Sequence, residues 1–447
     1  MEHQYVLVLG AGRSSAALIN YLLTEGTLRS WTITVGDLDE TLARQRVAGA
    51  PHGRSLHFDI TDESRSRAAI AASDVVISLL PAMFHPHVAA LCLACGKHLL
   101  TASYVAPAMQ AFHEPAVAKG LLFLNECGLD PGLDHMSAMS IIHRLQGQGY
   151  EITSFESFTG GLIDPATDPN NPWKYRFTWN PRNVVLAGQG TAKYRAHGTD
   201  KYIPYHQLFQ RTTPIEVPGV GKLEGYANRD SLQYREVYGL QQIETMIRGT
   251  LRFHGFCAAW NVLVQAGVTD DTYVLQGVEQ LTHQQFLERF VPAGPDSFRH
   301  RLAHVARVDP HGPELELLTW AGFFSDEPVG RADGTPAQIT EHLLSKCWSL
   351  QAEHRDLVVM WHRFRARHGA KNVEIESYFS ARGDAHETAM AKTVGLPLAI
   401  AAKLLLTGAF SVRGVVVPVQ QDVYQPILEE LDSLGIHFTE TERLLNA

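Results

Sequence analysis

Tyr5-Val6-Leu7-Val8-Leu9-Gly10-Ala11-Gly12-Arg13-Ser14-Ser15 decides how the rest of the chain is read. Tyr5 to Leu9 is a short apolar run, the signature of a buried strand. The glycine-bearing turn follows at once, and an Ala/Leu-rich helical stretch runs on to Leu23. A second apolar run, Trp31 to Val35, ends in Gly36 and Asp37. Strand, glycine turn, helix, strand and terminal acid form a dinucleotide-binding fingerprint. Gly10 permits the tight turn, and Gly12 lets backbone N–H groups close on a pyrophosphate at the positive end of a helix. Asp37 stands about 20 residues on, where it can accept from adenosine ribose hydroxyls. Ser15 replaces the third glycine of the motif. An ordinary strand-turn-helix needing glycine for positive φ shares the first half of this pattern; the acid closing the second strand favours the dinucleotide.

Outward from that stretch the α/β rhythm continues. Ser55 to Asp59, Asp74 to Pro81, His98 to Ser103 and Leu121 to Asn125 read as further strands, the later ones each preceded by a helical segment. Six strands separated by helices give a doubly wound parallel sheet, the Rossmann arrangement. Ligands of such sheets bind outside the carboxyl ends of the strands. Leu80-Pro81, Ser103-Tyr104 and Glu126 to Asp130 therefore matter most.

Beyond the helix opened by Gly128-Leu129-Asp130-Pro131-Gly132 the composition changes. Ile152 to Gly161, Tyr175 to Trp179 and Val184 to Leu186 are strand-like, and Asp164 to Pro172 is a Pro/Asn/Asp-rich loop. These predict an antiparallel α+β substrate domain. A mostly helical stretch follows, with a polar break from Asp326 to Gly334, and Asn372 to Phe379 returns to sheet character. A long helix, Ala385 to Thr407, carries Gly395 and Pro397; Val415 to Val417 and an amphipathic helix that folds back onto the first domain come last. The expected division is 1–132 for the Rossmann domain, completed by 385–447; 133–255 for the substrate and dimerisation domain; 256–355 for a helical subdomain; and 356–384 for a return strand.

At 447 residues the chain exceeds one compact core. Its 38 Lys plus Arg against 47 Asp plus Glu leave a net charge of -9, which argues against nucleic acid or an anionic membrane as main partner. An anionic substrate must then be held by locally placed arginines. No basic-then-apolar leader opens the chain and no run of about eighteen apolar residues occurs, so neither a signal peptide nor a span is expected. Five cysteines are few and odd, which fits reduced thiols in a cytoplasm. Cys92 and Cys95 form C-x-x-C without a second pair, in an Ala/Leu helix, and read as core thiols. The 22 histidines come no closer to a ligand motif than His85-x-His87, so no metal is expected. No G-x-S-x-G elbow is present.

Three clusters could carry chemistry. Thr101-Ala102-Ser103-Tyr104 offers hydroxyls at a strand's carboxyl end, where nicotinamide and substrate would meet, or is a polar terminus with a tyrosine packing its ring. Asp130, between two glycines, suits a substrate ammonium or a proton shuttle, or caps the next helix. Arg229, in Asn228-Arg229-Asp230-Ser231, and Arg252, in Gly249-Thr250-Leu251-Arg252, are guanidinium forks for carboxylates or surface ion pairs.

Taken together, these clusters resemble saccharopine dehydrogenase of the L-glutamate-forming type. The resemblance rests on Val75 to Pro81 with His85-Pro86, Thr101 to Tyr104 with Pro107-Ala108-Met109, and Gly128 to Met136. It continues through Gly160-Gly161, Asn171-Pro172, Tyr175-x-Phe177-x-Trp179, Glu224 to Ser231 and Gly249 to Arg252, and ends in Met390 to Gly395 and Tyr424-x-Pro426-Ile427-Leu428. It implies a Rossmann domain completed by C-terminal residues, with an inserted α+β substrate domain and a helical subdomain. It also implies oxidation of saccharopine by hydride transfer from its lysine-side Cε, followed by hydrolysis to L-glutamate and 2-aminoadipate 6-semialdehyde. Ser103, Tyr104, Asp130, Arg229 and Thr250-Leu251-Arg252 would bind substrate, the arginines clamping carboxylates. Asp130 would handle the amine proton, with Tyr104 orienting it. Gly10, Gly12, Arg13, Ser14, Ser15, Asp37, Leu80, Pro81, Ser103, Leu129, Asp130 and Pro131 would line the cofactor. A homodimer is the family's habit. Members that use NADPH carry an arginine after the second strand, where this chain has Gly36-Asp37-Leu38-Asp39. Those acids favour NAD, and Arg13 keeps NADP open. Rival readings are a related imine reductase, such as carboxynorspermidine dehydrogenase, and a non-catalytic nucleotide-binding regulator. Asp130, Arg229 and Arg252 being in place speaks against the regulator.

Overall fold

The computed structural model describes residues 3–445. The chain divides into two units. One runs to Tyr150 and resumes over His386–Thr439; the other holds Glu151–Ala385 and resumes at Glu440.

The first unit is built on a parallel sheet of seven strands. Strands β1 (Tyr5–Leu9), β2 (Thr32–Asp37), β3 (Gly53–His57), β4 (Val75–Ser78), β5 (His98–Thr101) and β6 (Leu122–Leu124) are joined by a C-terminal strand, Gly414–Val416. The spatial order is Gly414–Val416, β6, β5, β4, β1, β2, β3. All of these pairings are parallel. Helices on both faces bury Leu7, Val76, Leu99 and Phe123 completely or nearly so, which is why these strands read as continuous apolar runs. Strand order reverses between β4 and β1. A crevice for ligand opens at such a reversal, here flanked by Gly10 after β1 and by Leu79 to Pro81 after β4.

Helix Ala389–Leu406 packs on helix Ala16–Arg29. Gly395 permits the approach: a Cβ there would lie 3.0 Å from the Leu18 backbone nitrogen. By length and composition this helix is apolar enough to cross a membrane, which the sequence pattern did not anticipate, but 67% of it is buried within the fold. Such burial is the mark of a core helix. The expected boundary at 132 shifts. Helix Leu133–Gly147 belongs to the first unit, where His143 Nδ1 lies 2.8 Å from the Tyr424 hydroxyl on the terminal amphipathic helix.

The second unit carries a nine-stranded sheet. It is mixed, not antiparallel throughout. Glu151–Ile163 pairs in parallel with Thr245–Phe253 and antiparallel with Asp356–His368. Two expected strands are absent. Val184 and Val185 lie in helix Pro181–Val185, because Asn180 caps it and Pro181 presets its first turn. Tyr175 to Trp179 forms no strand, only a bridge from Phe177 to Ser349. Its aromatic rings fill the core instead: Tyr175 and Phe177 pack edge-on against Trp348. The helices between Phe256 and Trp348 do not stand apart as a subdomain; Trp260, Leu302 and Leu344 share one hydrophobic core with Phe158, Leu251 and Trp361 of the sheet. Strand Thr439–Leu445 adds to this sheet beside Lys371–Arg382. Residues 440–445 therefore leave the Rossmann unit that was expected to hold them.

Candidate active site

The glycine turn has the geometry a pyrophosphate requires. Gly10 sits at φ 108, and a Cβ there would meet the Leu79 carbonyl oxygen at 3.3 Å. Gly12 is exposed, and a Cβ on it would project into open space. The first helical bond runs from the Ser15 N–H to the Gly12 carbonyl, so the N–H groups of Gly12, Arg13 and Ser14 stand ahead of the helix. A Rossmann dinucleotide therefore fits these residues. Arg13 is exposed and Ser14 half-buried, whereas Ser15 is sealed, its hydroxyl donating to the Gly12 carbonyl. Asp37 is half-buried at the end of β2. Its carboxylate accepts from the Ala11 N–H at 2.7 Å and from the Asp39 N–H at 2.9 Å, so it holds the turn in shape. Arg46 donates to the carbonyls of Ala11 and Gly12.

At the carboxyl ends of β5 and β6 the predicted residues come together. The Tyr104 hydroxyl donates to Asp130 Oδ1 at 3.3 Å. That is long for an O–H···O bond. Asp130 is the tip of a closed turn: Gly128 N–H donates to the Pro131 carbonyl, and Leu133 N–H to the Gly128 carbonyl. The Asp130–Pro131 peptide is cis. Gly132 admits no other residue, since a Cβ would fall 2.2 Å from Gly128 backbone atoms. The capping alternative for Asp130 is set aside. Gly132 occupies the N-cap of the next helix, and its N–H donates to Asp134 Oδ1 at 2.7 Å. Leu129 is buried, Leu80 half-buried and Pro81 exposed.

Glu126, which the sequence marks only as the start of the stretch past β6, has a structural role of its own. It is buried, at φ 52, and brackets Tyr104 from both sides. Its N–H donates to the Ser103 carbonyl at 3.1 Å, and its Oε1 accepts from the Val105 N–H at 2.9 Å. Its Oε2 lies 2.8 Å from Nε2 of His135, itself fully buried on the helix that follows the Asp130 turn. One carboxylate thus ties the Tyr104 loop to the Asp130 turn. Ser103 has a second unforeseen partner, His85 Nε2 at 2.8 Å. Position just past a strand was the available signal for Glu126; nothing local marked His135.

In the second unit Arg229 is exposed at φ 53, after strand Gly221–Ala227. Arg252 is the opposite case, 4% exposed. Its guanidinium carbon lies 5.0 Å from the ring centre of Tyr175, 5.2 Å from Phe256 and 5.9 Å from Tyr226. Nη1 donates to the Leu251 carbonyl at 2.8 Å, while Nε is buried without a hydrogen-bond partner. Among the described residues no carboxylate pairs with it. The surface ion-pair reading of Arg252 is therefore wrong. The guanidinium is thus buried in an aromatic cage with Nε unsatisfied, a geometry with room for one more acceptor. Thr250 stands opposite Tyr226 in register and is half-buried; the Leu251 side chain lies wholly in the core. No group of His, Cys, Asp and Glu among the described residues is arranged to hold a metal ion.

Comparison with known proteins agrees with this layout. Residues 6–124 match the saccharopine dehydrogenase NADP binding domain, and residues 128–436, well over half the chain, match the saccharopine dehydrogenase C-terminal domain. The chain belongs to the saccharopine dehydrogenase family. It is 35% identical to the mitochondrial alpha-aminoadipic semialdehyde synthase of Rattus norvegicus over 97% of its own length and 47% of that protein's. The chain thus spans about half the length of such relatives. It is 32% identical to the saccharopine dehydrogenase [NADP(+), L-glutamate-forming] of Saccharomyces cerevisiae, across 97% of this chain and 98% of that one. The apo structure of the L-Glu-forming enzyme from that yeast superposes with a TM-score of 0.88 at 29% identity, covering 98% of this chain and 100% of the other.

Proposed function

We propose that this chain is an oxidoreductase of lysine metabolism that interconverts saccharopine with L-glutamate and 2-aminoadipate 6-semialdehyde. The observation that carries the reading is the Tyr104–Asp130 pair at the carboxyl edge of a dinucleotide-binding sheet. The full-length yeast relatives give the substrate class. When bound, a nicotinamide coenzyme supplies the hydride acceptor.

The chain's own residues hold the reactants and move a proton. Saccharopine's secondary amine must be neutral before its lysine-side Cε–H bond breaks, because the nitrogen lone pair forms the new C=N bond. Asp130 accepts that ammonium proton, with the Tyr104 hydroxyl steadying the carboxylate. Water then adds to the C=N carbon, and cleavage of the C–N bond releases the amine of glutamate and the semialdehyde. In sum, saccharopine, oxidised coenzyme and water give glutamate, semialdehyde, reduced coenzyme and a proton. Arg229 and Arg252 clamp substrate carboxylates, and a carboxylate in turn gives Nε of Arg252 the acceptor it lacks.

The preferred coenzyme is NAD. The relatives' names give NADP(+), but Asp37 and Asp39 would repel a 2′-phosphate, and Arg13 is the exposed cation beside the turn that would attract one. The free state of all five cysteines fits a reducing compartment, and cytoplasm is the compartment proposed. Absorbance of reduced nicotinamide, after mixing the purified chain with saccharopine and NAD or NADP, tests both points. Robust reduction, faster with NAD, is expected. Coenzyme binding without reduction would move the reading to related imine reductases, and equal efficiency with both would remove the role given to Asp37.

A further inference from the structure

Behind Ser103 lies a chain of polar groups that leads away from the crevice and has no part in the reaction above. Ser78, the last residue of β4, places its hydroxyl 3.1 Å from His85 Nδ1. On the other side of the ring, Nε2 lies 2.8 Å from Ser103 Oγ and 3.2 Å from Thr101 Oγ1. Ser78, His85 and Thr101 are all at most 2% exposed, and only Ser103 is half-buried. The network is therefore least buried at Ser103, the member that lies past the carboxyl end of β5. An apolar side chain would fill the same space without the cost of burying four polar groups. What the network adds is a direction for the Ser103 hydroxyl.

That direction follows from counting donors and acceptors. Burial keeps the imidazole neutral at physiological pH, with its pKa held down to about 4, so it carries one N–H and one lone pair. Two hydroxyls face Nε2 and one faces Nδ1. One N–H can be shared between two acceptors, but one lone pair serves a single donor well. Thr101 Oγ1 is already an acceptor, taking the Ser103 backbone N–H at 3.2 Å. A proton on Nε2 satisfies all three hydroxyls, whereas a proton on Nδ1 leaves two of them competing for one lone pair. From this we infer that His85 is a positioning residue: as its Nε2–H tautomer it donates to Ser103 Oγ and turns the Ser103 O–H outward, as a donor to a carboxylate oxygen of the substrate. The substrate part rests on the reading of saccharopine given above.

Two measurements on the full chain test it. The first is a histidine-selective ¹⁵N NMR spectrum, with the His85 signal assigned by its loss in His85→Gln. A neutral Nε2–H ring at pH 7 is expected; an Nδ1–H ring or an imidazolium overturns the inference whether or not saccharopine is a substrate. The second is steady-state kinetics with saccharopine, run first on the wild type, where absence of turnover would refute the functional reading and leave the tautomer to decide the role of His85. Ser103→Ala and His85→Ala should each raise the KM for saccharopine about tenfold, with the double variant no worse than Ser103→Ala alone. Should His85→Ala fold poorly, His85→Gln carries an amide N–H toward the same oxygen and should recover most of the wild-type KM. An unchanged KM in a folded His85→Ala, multiplicative losses in the double variant, or a His85→Gln no better than a folded alanine variant would each overturn the role.

Discussion

The two units place their polar groups in opposite ways. In the Rossmann unit chemistry stands at strand ends: Ser103, Tyr104, Glu126 and Asp130 all follow β5 or β6, and backbone groups hold each of the loops. In the second unit the key group stands within a strand, where Arg252 of Thr245–Phe253 lies in a cage of aromatic rings and, among the described residues, pairs with no carboxylate. The first set of groups finds hydrogen-bond partners within its own unit; the second leaves the buried Nε of Arg252 without one, which is where the proposed carboxylate would bind. Proton transfer needs fixed geometry, whereas carboxylate capture gains from a donor that is already desolvated.

Substitutions break that comparison at different places. Asp130→Asn should have the largest effect, a fall in kcat of about a hundredfold or more with loss of the acidic limb of the pH profile; unchanged turnover and profile would remove Asp130 from proton handling. The stability of the first unit should depend on pH through His85. Its folded pKa, about 4, lies below the ordinary 6.5, because burial disfavours the charged ring. Between those values the unfolded chain binds the extra proton. Stability is therefore complete above pH 6.5 and falls as pH drops toward 4, by about 3 kcal/mol. Denaturant titrations of wild type against His85→Gln should differ by that slope, and parallel curves would contradict it.

The second unit should respond differently. Arg252→Met should raise the KM for saccharopine about tenfold. Its Tm should stay level or rise, since the aromatic cage accepts a thioether and the buried charge is gone. A large fall in Tm would mean that the guanidinium is a structural strut. Gly10→Ala should cost about 1 kcal/mol of stability from positive φ and the Leu79 carbonyl, together with weaker coenzyme binding by fluorescence titration.

Strand-end logic made the Rossmann half legible, because buried parallel strands are continuous apolar runs and ligand-facing residues come next in sequence. It places Ser103, Tyr104 and Asp130 on one edge of the sheet from spacing alone. It could not choose between a helix cap and a proton-handling carboxylate for Asp130, since that depends on Gly132 taking the N-cap. His85 was legible as half of a His-x-His pair and within a block of the family resemblance, but not as a partner of Ser103, nor His135 as a partner of Glu126, because those contacts arise from chain crossings. In the second unit, aromatic alternation from Tyr175 to Trp179 mimicked a strand although the rings are a core plug around Trp348. Val184 and Val185 suggested β structure until the Asn180-Pro181 helix start overrode their propensity. Burial of Arg252 had no sequence signal; the rings around it come from three separate segments.

The most direct test uses saccharopine carrying deuterium on the lysine-side Cε. Its secondary amine has two neighbouring carbons, and only hydride loss from Cε releases glutamate. One deuterium should appear on the reduced nicotinamide, with a slowed hydride step and one glutamate formed per coenzyme reduced. Reduction without deuterium transfer, or with lysine as the released amino acid, would contradict the account.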